Sequence, residues 1–493
     1  MSPSVQLITY VDRLAGTLPG LTRLLTDPAS PLHGLFAGVH LLPFFDPIDG
    51  ADAGFDPIDH TQVDARLGSW DDVKALGERL TVMADVIVNH VSSLSPQFRD
   101  WSQRGAASPY AGLFLTLDRV FPQGASEREL LTVYRPRPGL PLTPVTLASG
   151  ERRILWTTFT PQQVDIDVEN PQGLAYLDSV LQACARAGVK MLRLDAVGYA
   201  IKRPGTSCFM LPETFDFIDR FTERAHALGL EVLVEIHAHH RRQIEIAKRV
   251  DWVYDFALPP LVLLALGTGD PSALKRWIGM RPTNALNVLD THDGIGIVDI
   301  GPDPADRAGF PGLVDDAALD ALVEGIHRRS GGQSRMATGE AASNLDIYQV
   351  NCTFYDALGR DDAAYLAARA VQLFLPGVAQ IYYVGLLAGE NDMALLARNR
   401  VGRDINRHHY TPEEIDAALA RPVVQDLMSL IRLRNTHPAF GGTFTLEDSA
   451  ADHLVLHWAQ GAAWLRLTVN CAVPGLKLEG HDGETAWRWT GAD

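Results

Sequence analysis

Residues 190–197 read Lys-Met-Leu-Arg-Leu-Asp-Ala-Val, and residues 231–237 read Glu-Val-Leu-Val-Glu-Ile-His. Each is a short apolar run that carries charge near its far end, the pattern of a strand buried on both faces. Working outward, six more such runs occur, at 6–11, 38–45, 82–90, 252–257, 285–291 and 378–384. Amphipathic helical patterns lie between several of them, at 69–80, 171–187, 212–228 and 361–374, the first opening on a Ser-Trp-Asp-Asp capping start. Strands that alternate with helices predict a parallel α/β sheet. Eight of them predict a (β/α)8 TIM barrel.

Two intervals are too long for ordinary crossovers, and long loops on such a barrel build the catalytic rim. The expected division is a barrel made of 1–88, 170–294 and 359–440, an insertion at 89–169 after the third strand, and another at 295–358 after the seventh. A helical stretch is expected at 412–435. From 441 to 493 the text changes to alternating or apolar runs such as HLVLHWAQ and AAWLRLTV, which predict a small antiparallel β domain.

With 46% hydrophobic residues over 493 positions, the chain can bury a large core without staples. Lys plus Arg number 43 against 60 Asp plus Glu, a net charge of -17, which opposes nucleic acid and anionic membranes as partners. An anionic substrate then needs local positive charge at its site. Cys184, Cys208, Cys352 and Cys471 are scattered, without metal-ligand spacing or a disulfide framework. The first residues carry no secretory pattern, and no apolar run is long enough for a membrane span, so a cytoplasmic protein is expected.

Polar residues gather at the carboxyl ends of four proposed strands: Asn89-His90, Arg193 with Asp195, Glu235 with His237, and Asp290-Thr-His292-Asp293. Barrel strand ends face one common pocket. Arg193 and Asp195 are two apart and share a face, and the same is expected of Glu235 and His237. A guanidinium beside Asp195 is expected to hold it anionic as a nucleophile. A glutamate near that anion is suited to general acid work. Paired carboxyl groups with separated proton affinities equip a retaining glycoside-cleaving enzyme. Asp293 would add a third carboxylate to stabilise developing positive charge.

ADVIVNH, RLDAVGY, EVLVEIH and VLDTHDG resemble the four signature regions of the α-amylase superfamily, glycoside hydrolase family 13. LITYVDRL, LPFFDPIDGADAGFDPIDHTQVD, YRPRPGLP, TFTPQQVDIDV, PGTSCFM, SNLDIYQVN and GRDINRH are similar to its sucrose phosphorylase branch, from residue 5 to about 435. The resemblance implies Asp195 as nucleophile, Glu235 as acid/base and Asp293 as transition-state stabiliser. It implies a glucose subsite of His90, Arg193 and His292, with Asp52 and Arg403 on the far hydroxyls and Phe55 and Phe159 as apolar platforms. It puts Tyr134, Arg137, Gln163, His237, Asp346, Tyr348 and Gln349 on the acceptor side, where fructose or phosphate sits. Sucrose, phosphate, glucose 1-phosphate and fructose are the implied reactants, no cofactor is implied, and a homodimer is common in the family.

The physical reading runs alongside. Asp52 and Arg403 are expected to pair and close the far end of a one-sugar pocket. Arg137, in a stretch stiffened by prolines, suits phosphate. The chain departs from the family at Ala238-His239-His240, where Ser-Tyr-Tyr is commoner. That leaves phosphorylases of sucrose 6'-phosphate, glucosylglycerol or glucosylglycerate, and a retaining α-glucosidase or transglucosidase, as alternative activities. The His237-Ala-His239 spacing with His240 raises a metal-dependent barrel hydrolase, and loss of catalysis would leave a sugar-binding scaffold. Neither phosphate-loop glycine spacing is present.

Overall fold

The computed structural model describes residues 5–50, 52–137, 139–303, 306–338 and 349–489. Eight parallel strands close into a barrel: β1 (Gln6–Thr9), β2 (Gly38–Leu41), β3 (Thr81–Ile87), β4 (Met191–Asp195), β5 (Glu231–Val234), β6 (Trp252–Asp255), β7 (Ala285–Asn287) and β8 (Val378–Tyr382). Each strand pairs with its sequence neighbours, and β8 returns to β1 through Leu7↔Ile381. All eight are where the sequence predicts strands. Each ends earlier than expected, and past β3, β4, β5 and β7 the chain turns away to carry residues that border the cavity described below.

The helices pack outside: α1 (Leu18–Thr26), α2 (Trp70–Gly77), α3 (Pro171–Arg186), α4 (Pro212–His226), α5 (His240–Ala247), α6 (Leu258–Thr268), α7 (Asp362–Phe374) and α8 (Pro422–Thr436). Ser69 and Asp72 close a full capping box at the start of α2. The expected helix at 412–435 is two, Pro412–Leu419 and α8. Pro422 has no N–H to continue the first, so it opens the second.

Apolar side chains from the strands and inner helix faces form one continuous core. Several buried polar groups inside it are paired. Arg369 donates to Asp290 at 2.6 Å, and a side chain at Gly385 would collide with both partners, so only glycine lets α7 approach the end of β7. The Lys202 ammonium joins Asp165 and, at 2.9 Å, Asn89, which ties the segment after β4 to the end of β3.

Between β3 and α3 lie Pro96–Arg104, Glu127–Thr132 and two antiparallel pairs, His90–Ser92 with Gln163–Asp165 and Leu142–Thr146 with Arg152–Trp156. After β7, Ile295–Gly296 pairs with Gln349–Val350. The end of the chain is a five-stranded antiparallel meander, β9 (Thr443–Glu447), β10 (His453–Gln460), β11 (Ala463–Asn470), β12 (Gly475–His481) and β13 (Ala486–Trp489). The four cysteines are buried and unpaired. Among the described residues, no helix is long and apolar enough to cross a membrane.

Candidate active site

Arg193 and Asp195 point into the barrel from the same face of β4. The Arg193 guanidinium bridges Asp85 on β3 at 2.6 Å and Asp195 at 2.8 Å, and reaches Glu235 at 3.9 Å. Asp85 is anchored in turn by His40 of β2 at 3.0 Å. One buried cation thus sets the positions of two carboxylates that come from adjacent strands.

Glu235 lies one residue beyond β5. Its N–H still donates to the Leu194 carbonyl at 3.3 Å, which keeps it level with Asp195. Ala196 turns directly after Asp195 with φ +54°, a left-handed backbone that costs energy for a residue with a Cβ. The turn aims the Ala196 N–H at Glu235 Oε2, 3.3 Å away. The shared strand face expected of Glu235 and His237 is not how they meet, since both have left the ladder. They converge through the loop, with His237 Nε2 3.9 Å from Glu235 Oε1.

Asp293 follows β7. Arg403 pairs with it at 2.7 Å and Arg407 approaches to 3.9 Å, both from the 3-10 turn Gly402–Asn406 and the residue after it. Arg407 also donates to the His292 carbonyl at 2.8 Å, which locks this turn against the end of β7. The His292 ring stacks on Phe55 at 4.7 Å, and His90 Nε2 donates to the Phe55 carbonyl at 2.9 Å.

Asp52, Phe55, His90, Tyr134, Arg137, Phe159, Asp195, Glu235, His237, His292, Asp293, Gln349 and Arg403 border one cavity of about 740 Å³, mouth included. Arg193 lies beneath its floor. Gln163 does not join that wall: it is buried in the strand paired with 90–92. Asp346 and Tyr348 lie outside the described residues. Asp52 and Arg403 both border the cavity, but in place of the expected pair with Asp52 the guanidinium makes a 2.7 Å ion pair with Asp293.

Sequence reading missed Tyr199 and Phe209. Phe209 stacks with Tyr134 at 4.7 Å and Tyr199 meets Phe159 edge-on at 5.1 Å, so the four rings form one wall. The quoted PGTSCFM stretch contains Phe209, yet nothing local distinguishes it from a core phenylalanine. Arg407 was missed for a similar reason: its role arises from contact with β7, more than a hundred residues away.

The electrostatics refine the sequence expectation. Burial pushes the Asp195 carboxyl up to about 8; Arg193 pulls it down, and Glu235 and Asp85 push it up further. Contrary to the sequence expectation, Arg193 alone therefore does not hold Asp195 in the ordinary carboxylate range. Arg193 hydrogen-bonds Asp195 at 2.8 Å but stands 3.9 Å from Glu235, so its charge bears more directly on Asp195. Asp293 is different. Burial opposes its ionisation, but Arg403, His292, Arg193 and Arg407 overcome that and hold it far below the carboxylate range. Asp52 is likewise held low against burial, by Arg403, Arg407 and Arg137. Burial drives His292 down to about 3, so its ring is neutral.

The histidines that suggested a metal separate. Among the described residues, the cluster with metal-ligating spacing is Glu235, His237 and Asp293, without His239 or His240. His239 donates to the Pro311 carbonyl at 3.0 Å and caps α5, and His240 meets Trp277 edge-on. Ala238, His239 and His240 do not border the cavity. The departure from the family pattern thus lies on the strand-to-helix turn.

The family model for the α-amylase catalytic domain matches residues 15–236. A sucrose phosphorylase of Agrobacterium vitis is 58% identical over 95% of this chain and 95% of its own length. One from Bifidobacterium adolescentis is 53% identical over 98% and 96%. The crystal structure of a sucrose 6F-phosphate phosphorylase from Thermoanaerobacter thermosaccharolyticum superposes with a TM-score of 0.90 at 35% identity, covering 99% of this chain and 98% of that one. With likeness of this depth along nearly its whole length, the chain belongs to the sucrose phosphorylase family of α-amylase-type barrels.

Proposed function

We propose that the chain catalyses the reversible phosphorolysis of sucrose to α-D-glucose 1-phosphate and fructose, by a retaining double displacement. The observation that carries this is the convergence of Asp195, Glu235 and Asp293 on one cavity around Arg193 and Arg403. Glu235 gives its proton to the glycosidic oxygen while Asp195 attacks the anomeric carbon. Fructose leaves, and a β-glucosyl ester of Asp195 remains. Asp293, fixed as an anion, offsets positive charge that develops at the anomeric carbon. Phosphate then attacks the ester, its proton passes to Glu235, and the α configuration returns. The glycosidic bond energy is kept in the ester, so the chemistry calls for no cofactor.

His90, Arg193, His292, Asp52, Arg403, Phe55 and Phe159 make the glucose subsite in this reading. Tyr134, Arg137, His237 and Gln349 belong to the acceptor side, and Asp346, Tyr348 and Gln163 are assigned there by resemblance. The insertions at 89–169 and 295–358 supply most of that side. Tyr348-Gln349 and Arg137 favour sucrose over its 6'-phosphate and over glucosylglycerol-type substrates. Scattered unpaired cysteines suit a reducing compartment and so support a cytoplasmic enzyme. A homodimer goes with the family resemblance, and sedimentation velocity tests it.

The test is product analysis after incubation with sucrose, with and without phosphate. Glucose 1-phosphate forms with phosphate, and only slow glucose release occurs without it. Glucose as the main product in the presence of phosphate would make the enzyme a hydrolase. A preference for sucrose 6'-phosphate or glucosylglycerol over sucrose would reassign the acceptor.

A further inference from the structure

Asp299 lies in the 3-10 turn Val298–Ile300, within the insertion after β7, and is fully buried. Its Oδ2 accepts from His237 Nδ1 at 3.1 Å. Its Oδ1 accepts from the Ala238 N–H at 3.2 Å and from Gln243 Nε2 at 2.8 Å, so the carboxylate is held by the loop after β5 and by α5. The His237 ring is clamped flat on Phe256, 3.9 Å between centroids and 14° between planes. Its other nitrogen, Nε2, faces the cavity beside Glu235. Gly296 makes this approach possible: a Cβ there would lie 2.5 Å from Asp299 Oδ2 and 2.9 Å from His237 Nδ1.

We propose that Asp299 is a positioning residue that orients the His237 ring through Nδ1 and so aims its Nε2 at the acceptor site, where it binds the phosphate anion. This rests on the phosphorylase reading above. Among the described residues, the charged groups that face His237 include Asp299 from the insertion, Glu235 from the end of β5 and Asp293 from the end of β7, and all three favour its protonated form. They raise its proton affinity against burial, which acts the other way. In an acidic protein, a cation built this way supplies the local positive charge that an incoming phosphate dianion needs. The donor Nδ1–H bond to Asp299 also fixes the ring orientation.

The test is Asp299→Asn, with KM for phosphate and kcat measured from pH 5.5 to 8.5, against slow sucrose hydrolysis in the same preparations. In the wild type, KM for phosphate rises with pH as His237 loses its proton. In Asp299→Asn that rise moves to lower pH and KM for phosphate at neutrality grows severalfold, toward the roughly tenfold limit that a one-unit change in proton affinity sets at pH above both midpoints, and out of proportion to the change in kcat. Gly296→Ala, which wedges the pair apart with both charges retained, shifts KM in the same direction. A 15N-histidine titration reads the His237 signal directly, identified by its loss in His237→Gln, and shows a lowered midpoint in Asp299→Asn. An unmoved midpoint and an unchanged pH dependence of phosphate KM would overturn the proposal. A wild type that forms no glucose 1-phosphate would instead overturn the phosphorylase reading itself.

Discussion

At the inner end of the cavity, Asp52, Asp293, Arg403 and Arg407 interlock in a buried charge cluster carried by the barrel rim and one 3-10 turn. At the outer end, Tyr134 is 40% exposed and the wall is built of stacked rings and inserted loops. The inner end has fixed charge and little freedom, as a subsite for one sugar ring requires. The outer end has to receive fructose and phosphate in turn, so it is made of surfaces that tolerate different occupants. Between them stand Asp195 and Glu235, around the one guanidinium of Arg193. Chemistry that serves both steps lies at the junction, while discrimination is divided between the two ends.

Substitutions test that division, beginning at the junction. Asp195→Asn should lower kcat by about 10⁴-fold or more, as nucleophile loss does elsewhere, with no covalent intermediate in rapid-quench mass spectrometry. Glu235→Gln should lower turnover of sucrose by about 10²- to 10⁴-fold and leave α-glucosyl fluoride a good substrate, because fluoride departs without a proton. Equal loss on both substrates would remove Glu235 as the acid.

Arg403→Met should cost about 10²-fold or more in kcat/KM, in the range expected when a buried ion pair loses one member, about 3–5 kcal/mol. The loss should be the same with sucrose and with glucose 1-phosphate, because both place glucose at the inner end. Arg137→Ala, by contrast, should raise KM for phosphate by about tenfold, the scale of one charge-assisted hydrogen-bonded contact, and leave formation of the glucosyl ester nearly unchanged. If Arg403→Met moved only phosphate KM, or Arg137→Ala slowed ester formation, the two ends would not be separate.

The smallest effect is on stability. Burial raises the Asp195 carboxyl to about 8 in the fold, above its unfolded value, so the native state holds this proton more tightly than the unfolded one from about pH 4 upward. Stability therefore falls as pH rises through that window. Asp195→Asn should remove this cost and raise Tm near pH 7, with the gain shrinking toward pH 4. A Tm below the wild type at neutral pH would mean that Asp195 is a net stabilising ion-pair partner of Arg193.

Strand positions were legible because a parallel barrel buries both faces of each strand and leaves continuous apolar runs in the text. Strand ends were less so. The run 231–237 looks uniform, yet the ladder stops at Val234, and Glu235 and His237 belong to the loop. Arg193 with Asp195 could be derived from spacing because both stay in β4. Asp52, Arg403 and the acceptor residues came from resemblance, since no local pattern ties positions 350 residues apart. The His237–Asp299 pair had no sequence signal at all. It depends on a glycine at 296 and on an insertion folding back over the end of β5.

The most direct measurement of the central claim is to react Glu235→Gln with α-glucosyl fluoride in the absence of phosphate, digest the protein and locate the modification by mass spectrometry. A hexosyl group on Asp195, released as α-glucose 1-phosphate when phosphate is added before digestion, is the expected result. A label on another residue, or none at all while fluoride is turned over, would contradict it.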